Sequence, residues 1–353
     1  MSWSRVDYSK KQIKRAGEAL VSGSFRTSDG SDPWVVLDNW RSSHAFPLNT
    51  IQMWMRQAAR HIDSDALVAQ RLKRTSSIVL KLRRFKEMNL DRMQDIGGCR
   101  VVFSDVQQVY QAVEKFPRSK AMHEYERGKD YIKEPKPDGY RGIHLIYKFK
   151  SNSKPQYNGL RIEIQVRTAL QHAWATAVET ADTFLPTAIK AGKGTDKWRH
   201  FFRLVSSAFA LKENSPVVVP AHSDPVSLAA EIDKAAKQLD VWRELNRYRV
   251  ALRVVETKMS AGARRKNDGY AILMLDPDEL RLVVKPYSKR RVAEAAADYL
   301  AEERRSDTTA RADVVLVKIG SAHALRKAYP NYFMDTEVFL NELDGFLSEH
   351  LEA

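Results

Sequence analysis

Arg161-Ile-Glu-Ile-Gln-Val-Arg-Thr168 alternates apolar and polar side chains, the pattern of a β-strand with two unlike faces. Ile162, Ile164 and Val166 fall on one face, and Arg161, Glu163, Gln165 and Arg167 on the other. An acid, an amide and two guanidiniums on one face are costly to bury as core. They suit the floor of a site for a phosphate-bearing ligand and a metal ion. The other reading of the same residues is the solvated face of an antiparallel sheet.

Working outward, four further stretches carry chemistry. They are Arg71-Leu-Lys-Arg-Thr-Ser-Ser-Ile-Val-Leu-Lys81, Met93-Gln-Asp-Ile-Gly-Gly-Cys-Arg100, the segment Asp130 to His144, and Thr168-Ala-Leu-Gln-His-Ala-Trp-Ala175. Phosphoryl transfer needs carboxylates to hold a metal, cations around the phosphates and a means of activating a hydroxyl. Asp95 and Glu163 are candidate carboxylates, although either also fits an ordinary turn acid or surface ion pair. On a helix, Lys73, Ser77 and Lys81 follow one another at i,i+4 spacing and share a face, which suits a triphosphate or simply a solvated basic surface. Pro135, Pro137 and Gly139 make residues 130–144 a shaped loop. His144 fits either a phosphate contact or a hydrogen-bonded core histidine, and Trp174 reads as core.

The pattern predicts an α+β protein with a mainly antiparallel or mixed sheet. Helices are expected at 8–21 with Ser9 as cap, as a pair within 33–62 joined around Pro47, and at 65–90, 105–117, 169–184 and 196–213. Strands are expected at 99–103, 143–149 and 160–167. Three prolines and no helical period mark a linker, placing domains at 1–215 and 226–353 with residues 216–225 between them. The second domain reads as a helix at 226–248, strands at 270–275 and 280–286, a helix at 289–304, a strand at 313–319 and a helix at 335–350.

The 353 residues carry a net charge of +14, unevenly spread. Residues 1–220 hold 37 Lys and Arg against 22 Asp and Glu, whereas residues 221–353 hold 21 against 22. The basic front half is therefore the part that would handle polyanions. No apolar run is long enough to span a membrane and the N-terminus lacks the apolar stretch of a signal peptide, so a cytoplasmic protein is expected. One cysteine, Cys99, excludes an internal disulfide and a cysteine-rich zinc site.

In this order the five stretches resemble the RelA/SpoT nucleotidyltransferase domain, which moves a pyrophosphate from ATP to an acceptor hydroxyl. The resemblance spans about Arg71 to Ala175 and implies a mixed-sheet fold. It implies that Asp95 and Glu163 hold Mg²⁺ and activate the hydroxyl. Arg71, Lys73, Ser77, Lys81 and Arg100 would bind ATP, the spacing Arg-x-Lys-x₃-Ser-Ile-x₂-Lys being met without a gap. Tyr140 would stack on the acceptor base. Lys133, Lys136, Arg141, His144, Gln165 and Arg167 would bind acceptor phosphates or support the loop. One departure stands out: many small synthetases follow the tryptophan with Ala-x-x-Glu-His, whereas this chain has Trp174-Ala-Thr-Ala-Val-Glu-Thr180, leaving Glu179 without an assigned role.

No His-Asp dipeptide of the family's hydrolase occurs. Two acceptors fit: the 3′ end of tRNA, as in toxic small alarmone synthetases, or GDP or GTP, giving (p)ppGpp. A basic first helix with Lys10, Lys11, Lys14 and Arg15 favours tRNA. The C-terminal segment Tyr329-Pro-Asn-Tyr-Phe333 resembles the pseudo-zinc-finger antitoxin domain of CapRel proteins, fused toxin–antitoxin systems of anti-phage defence. That resemblance implies a metal-free module whose Tyr329 and Tyr332 cover the adenine site until a phage capsid protein releases them. The same tyrosines also fit an ordinary core corner, and a nucleotide- or tRNA-binding protein without catalysis is the non-enzyme alternative.

Overall fold

The computed structural model describes residues 3–118, 122–184, 195–218, 224–251, 253–256, 269–276, 279, 281–291, 294–295, 297–299, 301–302, 305, 313–319 and 336–351. Tyr329 and Tyr332 lie outside the described residues. Three helices come first: α1 (Lys10–Ser22), α2 (Pro33–Ser43) and α3 (Ala45–Arg60). A capping box starts α1, in which the Gln12 N–H donates to Ser9 Oγ at 3.3 Å and the Ser9 N–H donates to Gln12 Oε1 at 3.0 Å. Asp32 caps α2, with Pro33 in its first position. The two helices meet at His44 rather than around Pro47. Pro47 sits in the first turn of α3, where a missing N–H costs nothing.

There follow β1 (Leu67–Leu72), α4 (Thr75–Arg84), β2 (Gly97–Phe103), α5 (Val106–Lys115), β3 (Glu124–Asp130), β4 (Ile143–Lys148), β5 (Arg161–Thr168), α6 (Ala169–Phe184) and α7 (Thr195–Lys212). The strands form one sheet in the order β1-β2-β5-β4-β3. It is mixed: β2 and β5 run parallel, and the other neighbours antiparallel. Two expectations need correction. Residues 65–90 are not one helix, because Leu67–Leu72 pair with β2 and the helix begins only at Thr75. Arg71 and Lys73 therefore precede the helix that carries Ser77 and Lys81. The 130–144 loop is also preceded by a strand, β3, whose charged and largely exposed residues hide its period at the sheet edge.

The apolar face of β5 behaves as its alternation requires. Ile162, Ile164 and Val166 are fully buried in one cluster with Leu48, Ile51 and Met55 of α3 and Val109 of α5.

The remaining elements are α8 (Pro225–Leu239), α9 (Val241–Ala251), β6 (Arg253–Glu256), β7 (Gly269–Asp276), β8 (Arg281–Ser288), β9 (Asp313–Ile319) and α10 (Glu337–Leu351). The single helix expected over 226–248 breaks at Asp240, which adopts φ 50° and ψ 46° and ends α8 in a left-handed cap. The strands form a second mixed sheet, β6-β8-β7-β9. Packing crosses the boundary expected at 216–225, although the second sheet also has a cluster of its own around Ile272, Tyr287 and Tyr299. Leu228 and Ile232 of α8 and Phe339, Leu343 and Phe346 of α10 share one apolar cluster with Phe201, Phe202 and Phe209 of α7 and Trp174 of α6. Phe339 is fully buried, with ring centroids 5.7 Å from Phe209 and 5.9 Å from Phe202.

Phe339→Ala should therefore destabilise the whole helical layer by about 3–5 kcal/mol. Chemical denaturation followed by tryptophan fluorescence checks this, since Trp174 and Trp198 lie in the same cluster. A loss under about 1 kcal/mol, small for a buried aromatic, would mean that α10 is not part of this core.

Candidate active site

The pairing of β2 with β5 and of β5 with β4 places Arg100, Gln165 and His144 abreast across three strands. One pair along, Arg71 of β1, Gly98 of β2 and Glu163 of β5 stand abreast. Sheet neighbours share a face, so the polar face of β5 meets the cations of β1 and β2.

A continuous hydrogen-bonded chain runs along this face. The His144 ring contacts Glu163 Oε1 through Nδ1 at 3.1 Å and the Tyr140 hydroxyl through Nε2 at 2.5 Å. The Gln165 amide donates to Glu163 Oε2 at 2.8 Å, and Arg167 donates to Gln165 Oε1 at 2.9 Å and to the Tyr140 hydroxyl at 2.7 Å. Burial works against the Glu163 charge, but His144, Gln165 and Lys81 outweigh it and hold the carboxyl at about 2. Burial pushes the Tyr140 hydroxyl up, opposed by Arg167.

A second cluster lies at the start of β2. Asp95 Oδ2 takes the ammonium groups of Lys73 at 3.1 Å and Lys81 at 2.8 Å. The other oxygen, Oδ1, is buried and has no hydrogen-bond partner among the described residues. Ser77, half-buried on α4, lies one turn before Lys81. Among the described residues no group of three metal-binding side chains is present. Magnesium is commonly held by only one or two carboxylates together with substrate phosphates, and the unpartnered Asp95 oxygen and the ionised Glu163 fit that pattern.

Arg100 is buried, which lowers its pKa to about 10, with Arg167 adding to the fall and Glu179 opposing it. Glu179 Oε1 lies 4.0 Å from Arg100 Nη2. Burial raises the Glu179 carboxyl, but Arg71, Arg100 and Arg167 together bring it below its ordinary value. The residue that sequence left without a role is thus the counter-anion of the arginine cluster.

The acceptor-side residues divide. Lys136 lies 4.6 Å from the Tyr140 ring centroid, and Arg167 lies 4.8 Å over that ring. Lys133 instead lies over Tyr110, 5.3 Å from its centroid. Arg141 is buried and donates to the Pro216 carbonyl, holding the loop to the segment after α7. Gly139 adopts φ +95°, and an added Cβ there would lie 3.0 Å from both Trp174 and Ser206. On α1, Lys10 and Lys11 are exposed, Lys14 pairs with Glu18 at 3.8 Å and Arg15 with Asp29 at 3.4 Å.

Beyond Tyr140 opens a cavity of about 890 Å³ whose walls include Arg167, Trp174, Glu179, Arg199 and Arg203. Its α7 wall was not foreseen. The available signal was spacing: Asp196, Arg199, His200 and Arg203 recur at helical period on one face.

The candidate site is thus a mixed sheet that carries carboxylates among lysines and arginines. Residues 70–183 match the model of the region found in RelA/SpoT proteins. The chain is 35% identical over 112 residues to the GTP pyrophosphokinase YwaC of Bacillus subtilis, covering 30% of this chain and 52% of that protein. It is 32% identical over 111 residues to the GTP pyrophosphokinase YjbM of the same organism, covering 31% and 52%. The chain thus spans about half the length of these curated relatives. The crystal structure of small alarmone synthetase 1 from Bacillus subtilis bound to its product pppGpp aligns over 48% of this chain and 89% of that one, at 24% identity and a TM-score of 0.41. No described helix is long and apolar enough to cross a membrane.

Asp95→Asn and Glu163→Gln should each abolish nucleotide-dependent group transfer, read by radiolabel transfer, and leave a cooperative thermal transition. Glu163 also predicts a pH effect. Its folded pKa lies below the ordinary carboxylate value, so its stabilisation is full above about pH 4.5 and fades as pH falls towards 2. Glu163→Gln should lack that part of the acid-induced loss, roughly 3 kcal/mol. Parallel acid-unfolding curves for the two proteins would show that Glu163 is not held charged.

Proposed function

We propose that the chain is a pyrophosphokinase that transfers the β,γ-pyrophosphoryl group of ATP to the 3′ hydroxyl of an acceptor nucleotide. The observation that carries this reading is the bonded chain Tyr140–His144–Glu163–Gln165–Arg167 beside the Asp95–Lys73–Lys81 cluster. In the reaction an acceptor O–P bond forms at the β-phosphorus, the bond from that phosphorus to the α-phosphate oxygen breaks, and AMP leaves. Such transfers depend on positioning and charge stabilisation more than on covalent chemistry. Arg71, Lys73, Lys81 and Arg100 neutralise the phosphates, and Ser77 donates a hydrogen bond. Glu163, a weak base at a pKa of about 2, orients the hydroxyl by accepting its hydrogen bond. It takes the proton late, as the attacking oxygen becomes acidic. His144 and Gln165 fix the carboxylate's direction. Magnesium bound at Asp95 and Glu163 would supply additional charge on the phosphates.

The acceptor we favour is the 3′ end of tRNA, whose modification blocks translation. A cavity of about 890 Å³ is near the upper end for a small-ligand site, and exposed Lys10 and Lys11 lie within the basic front half. The second reading is a guanosine nucleotide acceptor, which the names of the relatives favour. Incubation with γ-labelled ATP, GDP and bulk tRNA separates them. Label on tRNA, weakened and made less salt-dependent by Lys10→Glu with Lys11→Glu, is expected; labelled ppGpp with unlabelled tRNA selects the second reading.

The C-terminal part would restrain the enzyme until a partner such as a phage capsid protein releases it. Support comes from Tyr299, which is buried against Arg41, its ring centroid 4.8 Å from the guanidinium and its hydroxyl bonded to it. Arg41 Nε in turn donates to the Lys73 carbonyl at 2.5 Å, and Tyr270 donates to Asn49 at 3.3 Å. Tyr299 therefore reaches the Lys73 backbone, ahead of α4, through Arg41, while the second sheet touches α3 through Tyr270. Tyr299→Phe keeps the ring and removes the hydroxyl. It should lower the KM for ATP or raise basal turnover several-fold in the full chain. Unchanged kinetics for both Tyr299→Phe and Tyr299→Ala, with both folded, would remove this contact from regulation.

A further inference from the structure

The wall that α7 contributes to the cavity lies outside the RelA/SpoT region, which ends at residue 183. Nothing in the transfer chemistry above uses it. Its placement is nevertheless fixed. Ser206 Oγ donates to the Gly139 carbonyl at 2.6 Å, and a Cβ on Gly139 would stand 3.4 Å from the Arg203 Cα. The acceptor loop is thus seated on α7 with Arg203 at its edge, one residue from Tyr140.

The charges of this cavity are not equivalent. Arg199 pairs with Asp196 at 3.4 Å, and it also opposes the rise that burial imposes on the Asp182 carboxyl. Glu179 is answered by Arg71, Arg100 and Arg167. Arg203 differs, because its Nε is buried with no hydrogen-bond partner among the described residues. Arg167 Nη1, on the guanidinium that lies over the Tyr140 ring, is in the same condition. A buried guanidinium N–H without an acceptor keeps its desolvation cost. Two such groups in the wall of the cavity that Tyr140 also lines call for an anion.

The order of groups says which anion. From Glu163, where the hydroxyl would react on the transferase reading, the hydrogen-bonded path runs through His144 to Tyr140, and Arg203 lines the cavity beside Tyr140, its Cα against the neighbouring Gly139. A nucleoside that presents its 3′ oxygen to Glu163 carries its 5′ oxygen at the other end of the sugar. We propose that Arg203 binds the phosphate on the 5′ oxygen of the acceptor nucleoside, making α7 part of the acceptor site. This rests on the transferase reading for the orientation of the acceptor. The phosphate is either the terminal polyphosphate of a free nucleotide or the phosphodiester that joins the last nucleotide of an RNA to the one before it.

Equilibrium binding tests this in the full chain, with the ATP site saturated by a methylene-bridged ATP analogue so that no transfer is needed. The probes are guanosine, GDP, adenosine and the trinucleotide CpCpA. Arg203→Gln should weaken whichever phosphate-bearing probe the wild-type protein binds by about tenfold or more. It should leave the matching nucleoside and the ATP analogue unchanged, and Arg203→Lys should recover part of the loss. Loss on GDP names the free polyphosphate as the source, and loss on CpCpA the phosphodiester. Equal loss on nucleoside and phosphate-bearing probe, no loss on either, or no wild-type binding of either phosphate-bearing probe overturns the proposal. If binding behaves as expected while labelled ATP yields no product, the transfer reading fails alone.

Discussion

The parallel pairing of β2 with β5 is the constraint on which the site rests. It sets Gly98 beside Glu163 and Arg100 beside Gln165, while β1 and β4 add Arg71 and His144 to the same rows. Gly97 permits the close approach, since a Cβ there would fall 2.6 Å from the Ile162 Cδ1 atom. Gly98 does something different. It stands between Arg71 and Glu163, and beside it only the Arg71 carbonyl lies within 4 Å of an added Cβ. The row is therefore open at its centre, with a guanidinium at one side and a carboxylate at the other. A side chain at residue 98 would enter that open space.

That geometry creates an electrostatic problem that the chain solves internally. Cations gathered for a polyphosphate repel one another without it, and their burial makes this worse. Asp95 takes up Lys73 and Lys81, and Glu179 stands against Arg100. These pairs stabilise the unliganded site and, in the proposed reaction, would loosen as phosphates arrive. Glu163 is treated otherwise: it is held by ring and amide groups as well as cations, so it keeps its direction when the cations turn to substrate. The distinction separates a carboxylate that yields its partners from one that is kept aimed.

Much of this was legible in the sequence, and the limits have physical causes. The alternation of β5 gave both its buried face and its reactive face, because a strand with period two cannot mix them. Residues 67–72 read as helix because edge pairing, not local propensity, makes them a strand. The residues expected on the acceptor side gather around one loop, but Lys133 and Arg141 turn elsewhere, since a loop's residue order does not say which way each side chain points. Glu179 was out of register with the family's pattern, and only the helix geometry shows it against Arg100. The prolines at 216–225 marked a real break in helix, yet α8 and α10 return to complete the core of α6 and α7. Chain punctuation reports backbone conformation, whereas a domain boundary is a property of packing.

This last point changes how the two ends of the protein communicate. The α6–α7 layer has the cavity beyond Tyr140 on one side and the aromatic cluster with Phe339 and Phe346 on the other. Interiors packed this densely transmit displacement rather than absorb it. A shift of α10 against Phe201 and Phe209 would therefore move the backbone that carries Arg199 and Arg203 and seats Gly139 through Ser206. Tyr299 on Arg41 gives a second, separate route, ending at the Lys73 carbonyl on the ATP side. The C-terminal third thus packs behind both parts of the candidate site, through the core and through one buried guanidinium, and the regulation proposed above would need no side chain inserted into that site.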